Sequence, residues 1–278
     1  MKRTASSLGE AWQMRLMGVL EEIAAIAAND SENVDIRVHE IRKAAKHGRA
    51  VLKLAPDGLR EQARRQRETL REMRRLFGPA RDARVDLQLF EQFCGSRKSG
   101  RLAEAGQKIA AICAEQESKV PSMRRPMRAA GRIAKDIRVW DPGALKSDDI
   151  IERLVKGYRK ARDLLPTDES AIEDLHDFRS AVVDYRYQMR LIAGLRDKTA
   201  AQRERQAQEL RESLGEYLDV ERLIGRLQEF DIPADEMKQL RKGQQKRLKT
   251  ALADAALLFD PKPRLVRKEL EEISAGCG

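Results

Sequence analysis

Cysteine, histidine and aromatic side chains are scarce in this chain, and each scarcity removes a class of function. Among 278 residues there are three cysteines and three histidines, and aromatics make up 4%. Cys94, Cys113 and Cys277 are odd in number and lack the close pairing of a zinc site, so they read as free thiols of a reducing compartment, with no metal or cofactor expected. The few Trp, Tyr and Phe residues fall mostly at core-like positions, which leaves little surface on which bases could stack. No apolar run approaches the roughly 18–20 residues of a membrane helix. After Lys2 and Arg3 the chain is broken by Glu10, Gln13 and Arg15, unlike the apolar centre of a signal peptide, so a soluble, cytoplasmic protein is expected. A phosphate loop of the form GxxxxGK followed by Ser or Thr is also missing.

Charge, by contrast, is abundant. Charged residues make up 36% of the chain and the formal net charge is +10, which points to acidic partners such as nucleic acid, an anionic surface or a polyanion. With Ala, Leu, Arg, Glu and Lys dominant and almost no strand periodicity, the fold class is all-α. Helices are expected from about Leu8 to Ala28, over Val38 to Leu54 and from Leu59 to a break at Gly78-Pro79. They continue through Phe93, from Arg101 to Lys119, and in a basic helix ending near Trp140. A loop over Gly95 to Gly100 precedes the Arg101 helix. Asp141-Pro142-Gly143 divides the chain into halves, 1–142 and 143–278. In the second half, helices are expected from Ser147 to Leu165, from about Asp168 to a break near Gly194, and along a stretch through Leu214. A basic helix bearing Lys242, Lys246, Arg247 and Lys249 should end before Asp260-Pro261.

The two halves share a register. An offset of 137 residues, the separation of His39 and His176, pairs Arg42 with Arg179, Arg49 with Arg186 and Leu54 with Leu191. Without a gap it goes on to pair Arg74 with Arg211, Gly78 with Gly215 and Asp82 with Asp219. The expected architecture is therefore one domain over 1–278, made of two antiparallel helical bundles of about four helices each. An internal pseudo-two-fold axis relates them around a basic central groove or pore.

Within this frame one helix stands out. His39, Arg42, Lys46, Arg49 and Lys53 are spaced 3, 4, 3 and 4 apart, which holds them in an arc of about 80° beside an apolar stripe of Val38, Ile41, Ala45, Gly48 and Leu52. A lone basic stripe is ordinarily a solvated face; two in one register, each led by a histidine, argue for function. His47 faces away from the stripe and reads as ordinary surface.

Other chemistries fail on spacing. His39-Glu40 has Lys43 where a zinc-protease motif needs its second histidine, and His176-Asp177 lacks the further ligands of a metal phosphohydrolase and is flanked by arginines. Glu115, Glu117 and Lys119 match the ExExK pattern of triphosphate tunnel enzymes, yet they lie in a helical rather than a barrel-strand pattern. At Gly78-Pro79-Ala80-Arg81-Asp82 a structural junction is favoured, with Arg81 or Asp82 pairing to another helix.

His39-x-x-Arg42-Lys43-x-x-Lys46-x-x-Arg49, its echo from His176 through Arg179 to Arg186-Tyr187, and the Phe77-Gly78-x-x-Arg81-Asp82 and Leu214-Gly215-x-x-x-Asp219 junctions together resemble the conserved histidine alpha-helical domain family, CHAD. The resemblance covers nearly the whole chain. It implies a helical bundle that binds inorganic polyphosphate and associates with polyphosphate granules, with no enzymatic activity. The expected contacts are His39, Arg42, Lys43, Lys46, Arg49, Lys53, His176, Arg179, Arg186 and Arg190, with Arg124, Arg128, Arg132, Lys242, Lys246 and Lys249 adding to the walls. Ser180, Val183 and Asp184 depart from the basic pattern, so the second half should bind more weakly. A polymer of phosphates offers only charge and acceptor oxygens, which a line of Arg forks and Lys point charges complements. A nearby polyanion should also raise the pKa of His39 and His176. The alternatives are an RNA-backbone or ribosome-associated binder and, behind it, a metal-dependent phosphohydrolase.

Overall fold

A computed structural model describes residues 7–94, 100–141, 146–167, 169–194 and 197–275. Among these the regular structure is all helical. Residues 95–99 of the expected loop, Pro142-Gly143, Asp168 and Cys277 lie outside the described residues. The first half contains α1 (Leu8–Ala28), α2 (Val34–Leu52), α3 (Arg60–Leu76), α4 (Gly78–Cys94), α5 (Arg101–Ser118) and α6 (Arg124–Arg138). The second contains α7 (Ser147–Asp163), α8 (Ile172–Ala193), α9 (Lys198–Glu229), the one-turn α10 (Lys238–Arg241), α11 (Gln244–Phe259) and α12 (Pro263–Ala275). Among the described residues each half thus carries six α-helices rather than about four: the first half follows the segments its sequence marks, and in the second α10 and α12 are additional.

Helix ends follow local chemistry. Ser7 caps α1 by accepting from the Glu10 amide at 3.2 Å, and Asn33 caps α2 by accepting from the Asp35 amide at 2.7 Å. At Phe77 the chain breaks between α3 and α4, because Pro79 has no N–H to continue the ladder and its ring crowds the preceding turn. At the matching position Gly215 is followed by Glu216, and α9 runs straight through for 32 residues. Lys242 does not belong to the basic helix: it closes α10, and Gly243, with φ 90°, then starts a new helix in a left-handed conformation that suits glycine.

Side chains serve the free carbonyls at helix C-termini. Arg37, only 5% exposed, donates to the Ile26 and Ala27 carbonyls at the end of α1 and pairs with Asp30 at 3.0 Å. Gln13 donates to Ile137 O and Trp140 O, tying α1 to the end of α6. Trp12 stacks on Trp140 at 5.7 Å and donates its indole N–H to Val51 O at 2.7 Å, which gives the buried ring a partner for its one polar atom.

One hydrophobic core continues from Leu8 to Leu270 through both halves. Its aromatic centre is Tyr158, Phe178, Tyr185 and Phe259, brought together by α7, α8 and α11. A smaller core at the far end of α9, with Phe90, Ile109, Leu223 and Leu227, seats the α4–α5 hairpin. Cys94 and Cys113 are buried, and the Cys113 thiol donates to Glu117 at 3.1 Å. α2 packs between α1 and α3 and crosses α8, touching it through Ala50, Val183 and Tyr187. That crossing brings the two histidine-led helices together.

Candidate anion-binding site

The apolar stripe of α2 is buried, with Val38, Ile41, Ala45 and Leu52 in the core. The basic stripe therefore emerges at the core's edge, where α3 and α4 on one side and α8 and α9 on the other close around it. Arg42 is held most firmly. Its Nη1 donates to the Arg74 carbonyl at the end of α3 at 2.7 Å, and its Nη2 is 3.9 Å from Asp82 on α4. The guanidinium lies over Gly78, where a β-carbon would meet Nη1 at 3.3 Å. Arg179 on α8 repeats the arrangement over Gly215 of α9, with a β-carbon there 2.8 Å from Nη2. The register found in the sequence is thus a register of contacts: in both halves an arginine of the histidine-led helix lies across a glycine of the helix it faces.

The cations crowd one another. Burial, and then the charges of Arg179, Arg42, Arg74 and Arg81, push Lys46 down to about 7. Burial lowers Arg42 to about 10 against the pull of Asp82. Arg49, Arg67, Arg74, Arg179 and Arg186 are all shifted downward, first by burial and then by other charges that include arginines. Such shifts mark positive charge held out of water without enough counter-charge. Through these mutual influences the cations form a line. Arg49 acts on Arg74; Arg74, Arg42, Arg81 and Arg179 act on Lys46; Arg211 acts on both Arg179 and Arg186. The Nε atoms of Arg49, Arg67, Arg179 and Arg186 are buried and find no acceptor among the described residues.

Carboxylates brace the line from behind. Arg81 donates from both terminal nitrogens to Asp219 at 3.3 and 3.2 Å and also pairs with Asp82. Arg222 links Asp219 at 2.8 Å to the buried Asp86, also at 2.8 Å, and Arg226 adds a contact to Asp86 at 3.3 Å. The Gly78–Asp82 segment is thus the structural junction that its sequence suggests, with Arg81 tying α4 to α9.

The expected residues separate into groups. Arg42, Lys46, Arg49, Arg179 and Arg186 gather in or along the cluster. Lys43 and His39 sit at its rim, exposed, with Lys43 2.5 Å from Glu40. The His39 pKa is lowered, by partial desolvation on its cluster side and then, against Glu40, by Arg81, Lys43 and Lys46. His176 is exposed near the start of α8. Lys53 and Arg190 lie at opposite ends of the line, paired with Asp184 and Glu204. Arg124, Arg128 and Arg132 are exposed on α6, which packs on α1 and α3, while Lys242, Lys246 and Lys249 are exposed at or near α11, which packs on α9 and α7. None of these six is among the charges with the largest influence on Arg42, Lys46 or Arg179.

Two readings need correction. His47 is not surface: it is 5% exposed and stacks on Tyr187 at 4.5 Å and 12°, with the Arg186 guanidinium over the same tyrosine ring at 4.7 Å. Burial, and then Arg15, Arg190 and Arg186, lower its pKa to about 3, so this imidazole is neutral. The sequence reading also missed the arginines of α3. Arg60, Arg64, Arg67, Arg71 and Arg74 repeat at 4, 3, 4 and 3, the same period as the α2 stripe, and that period would have found Arg67 and Arg74.

Among the described residues no helix is long and apolar enough to cross a membrane, and no group of three or more His, Cys, Asp or Glu could hold a metal ion. No curated protein matches the chain. Among solved structures, the crystal structure of the CHAD domain from the plant Ricinus communis is similar in fold, with a TM-score of 0.56 and 23% identity over 98% of this chain and 91% of that one. The CHAD domain model matches residues 18–228, a span that contains α2, α3, α4, α8, all but the last residue of α9 and the whole cation line. With three quarters of its length matched in this way, the chain belongs to the CHAD domain family, which is generally linked to polyphosphate binding.

Proposed function

We propose that this protein binds inorganic polyphosphate along the cation line from α2 to α8, with the paired helix faces forming one basic groove. The observation that carries the reading is the cluster of Arg42, Lys46, Arg74 and Arg179, in which the three arginines lower the Lys46 pKa and the buried Arg179 Nε finds no acceptor among the described residues. Phosphate oxygens supply both the negative charge and the acceptors such a cluster lacks. The exposed cations of α6 and α11 act at longer range, drawing a polyanion toward the groove in a salt-sensitive way. Membership of the CHAD family supports the same ligand class. Cytoplasmic location and association with polyphosphate granules follow as parts of the proposal, as does binding without turnover.

The test is a titration with long-chain polyphosphate and with RNA at two salt concentrations. Polyphosphate should displace RNA at equal phosphate concentration, and the logarithm of affinity should fall steeply with that of salt as counterions are released. Replacing Arg42, Arg49, Arg179 and Arg186 together by Ala should lower polyphosphate affinity by about 100-fold or more while the protein stays helical. Unchanged affinity in that variant would overturn the proposal. Stronger retention of RNA would favour a nucleic-acid backbone binder, and phosphate release on adding Mg2+ or Mn2+ would favour a hydrolase.

A further inference from the structure

We infer that Asp184 and Glu204 limit the length of polyanion this site engages, each acting as a built-in counter-ion at one end of the cation line; the inference rests on the polyphosphate reading above. At one end Lys53, just past the end of α2, forms an ion pair with Asp184 of α8, and Asp184 also acts on Arg49 and Arg67. At the other end Glu204 of α9 lies 3.7 Å from Arg186 Nη2 and 3.8 Å from Arg190 Nε, and it acts on Arg15 of α1. Both carboxylates are about a quarter exposed, 24% and 23%, so water screens these pairs only in part.

Between the ends the situation differs. Lys46, Arg74 and Arg179 form no ion pair within 4.0 Å among the described residues. Asp82 and Asp219 answer Arg42 and Arg81 there, but Lys46, Arg74 and Arg179 keep no such pair, so the attraction for an anion is greatest around these three and falls off toward Asp184 and Glu204. The internal repeat sharpens the point. The 137-residue offset pairs Asp184 with the neutral His47 and Glu204 with Arg67, so neither position carries an acidic side chain in the first half and both do in the second. A phosphate chain that fills the centre and continues outward must break an existing pair at each end to gain a contact. A short anion need not.

The experiment compares tripolyphosphate with a long polyphosphate on the full chain, in the unaltered protein and in Asp184→Asn and Glu204→Gln. Each variant should bind the long polymer about 3- to 10-fold more tightly at 0.1 M salt and show a steeper salt dependence, while affinity for tripolyphosphate rises by less than about 2-fold. Circular dichroism confirms the fold of each variant. A second measurement needs no variant: affinity of the unaltered protein, corrected for the number of binding registers, should level off as chains lengthen. Unchanged or weaker long-chain binding in the folded variants, or affinity that rises without levelling, overturns the length limit and leaves polyphosphate binding intact. Failure of the unaltered protein to bind any polyphosphate overturns both.

Discussion

Arg179 lies so close to Gly215 that a β-carbon there would stand 2.8 Å from its Nη2, whereas the matching contact of Arg42 on Gly78 leaves 3.3 Å. In Gly215→Ala the guanidinium has to move, because the helix backbone cannot. Alanine in the interior of α9 should also favour the helix by up to about 1 kcal/mol. The expected result is a melting temperature equal to or above that of the parent with polyphosphate affinity lowered about 10-fold, a separation that general unfolding would not produce. Gly78→Ala should do less to binding.

Lys46 provides a proton signature. Its pKa of about 7 in the free protein, set by burial and by Arg179, Arg42, Arg74 and Arg81, should rise when a polyanion neutralises those neighbours. Binding at pH 8 should therefore take up protons, and affinity should weaken as pH rises above about 7. Calorimetry in buffers of different ionisation enthalpy reads this directly, and the Lys46→Met variant should lose most of the uptake. A buffer-independent heat in the parent would show that Lys46 does not face the ligand.

His47 governs stability rather than binding in acid. Its pKa is about 3 when folded and near 6.5 when unfolded, so the unfolded chain takes up a proton that the native state refuses. The stability this residue contributes is fully present above pH 6.5 and is lost as pH falls toward 3, with a limiting slope of about 1.4 kcal/mol per pH unit. In His47→Phe, which keeps a ring against Tyr187, urea melts at pH 7 and pH 5 should differ less than they do in the parent.

Asp86 anchors the brace behind the site. Its side chain is 2% exposed and is pulled between Arg222 and Arg226, so Asp86→Ala should leave Arg226 without its carboxylate and Arg222 with Asp219 alone. Those arginines are each 31% exposed and can recover some water, which brings the expected loss to about 2–3 kcal/mol, below the full cost of breaking a buried pair. Chemical denaturation measures the loss. Hydrogen exchange should place the first loosening in the α4–α5 hairpin.

The parts of this molecule that were legible in the sequence are those set by local chemistry. The limits of α1, the break before Pro79 and the 137-residue correspondence of Arg42 with Arg179 and of Gly78 with Gly215 follow from residue type and spacing; that each arginine lies on its glycine does not. The rest depends on which helices meet. Nothing local distinguishes a buried imidazole at His47 from an exposed one until Tyr187 arrives from a helix 140 residues later to stack on it. The cations of α6 and α11 have the same composition as those of α2, but their helices pack elsewhere. The arginines of α3 carried a readable period that no histidine announced.

The break between α3 and α4 also makes the two halves unequal partners for a ligand. Because α3 ends at Leu76, the Arg74 carbonyl is free to accept from Arg42, and that arginine is already fixed in place before any anion arrives. α9 continues past Gly215, so it offers Arg179 no helix end to hold, and the Nε of Arg179 is left without an acceptor among the described residues. Ordering a long side chain costs free energy, and both arginines have met most of that cost on folding, Arg42 through the hydrogen bond and Arg179 through its packing on Gly215. One arginine has a donor already committed to the protein and the other has a donor to spare, so under the proposed function an arriving phosphate would gain a new acceptor role at Arg179 that Arg42 already fills from within.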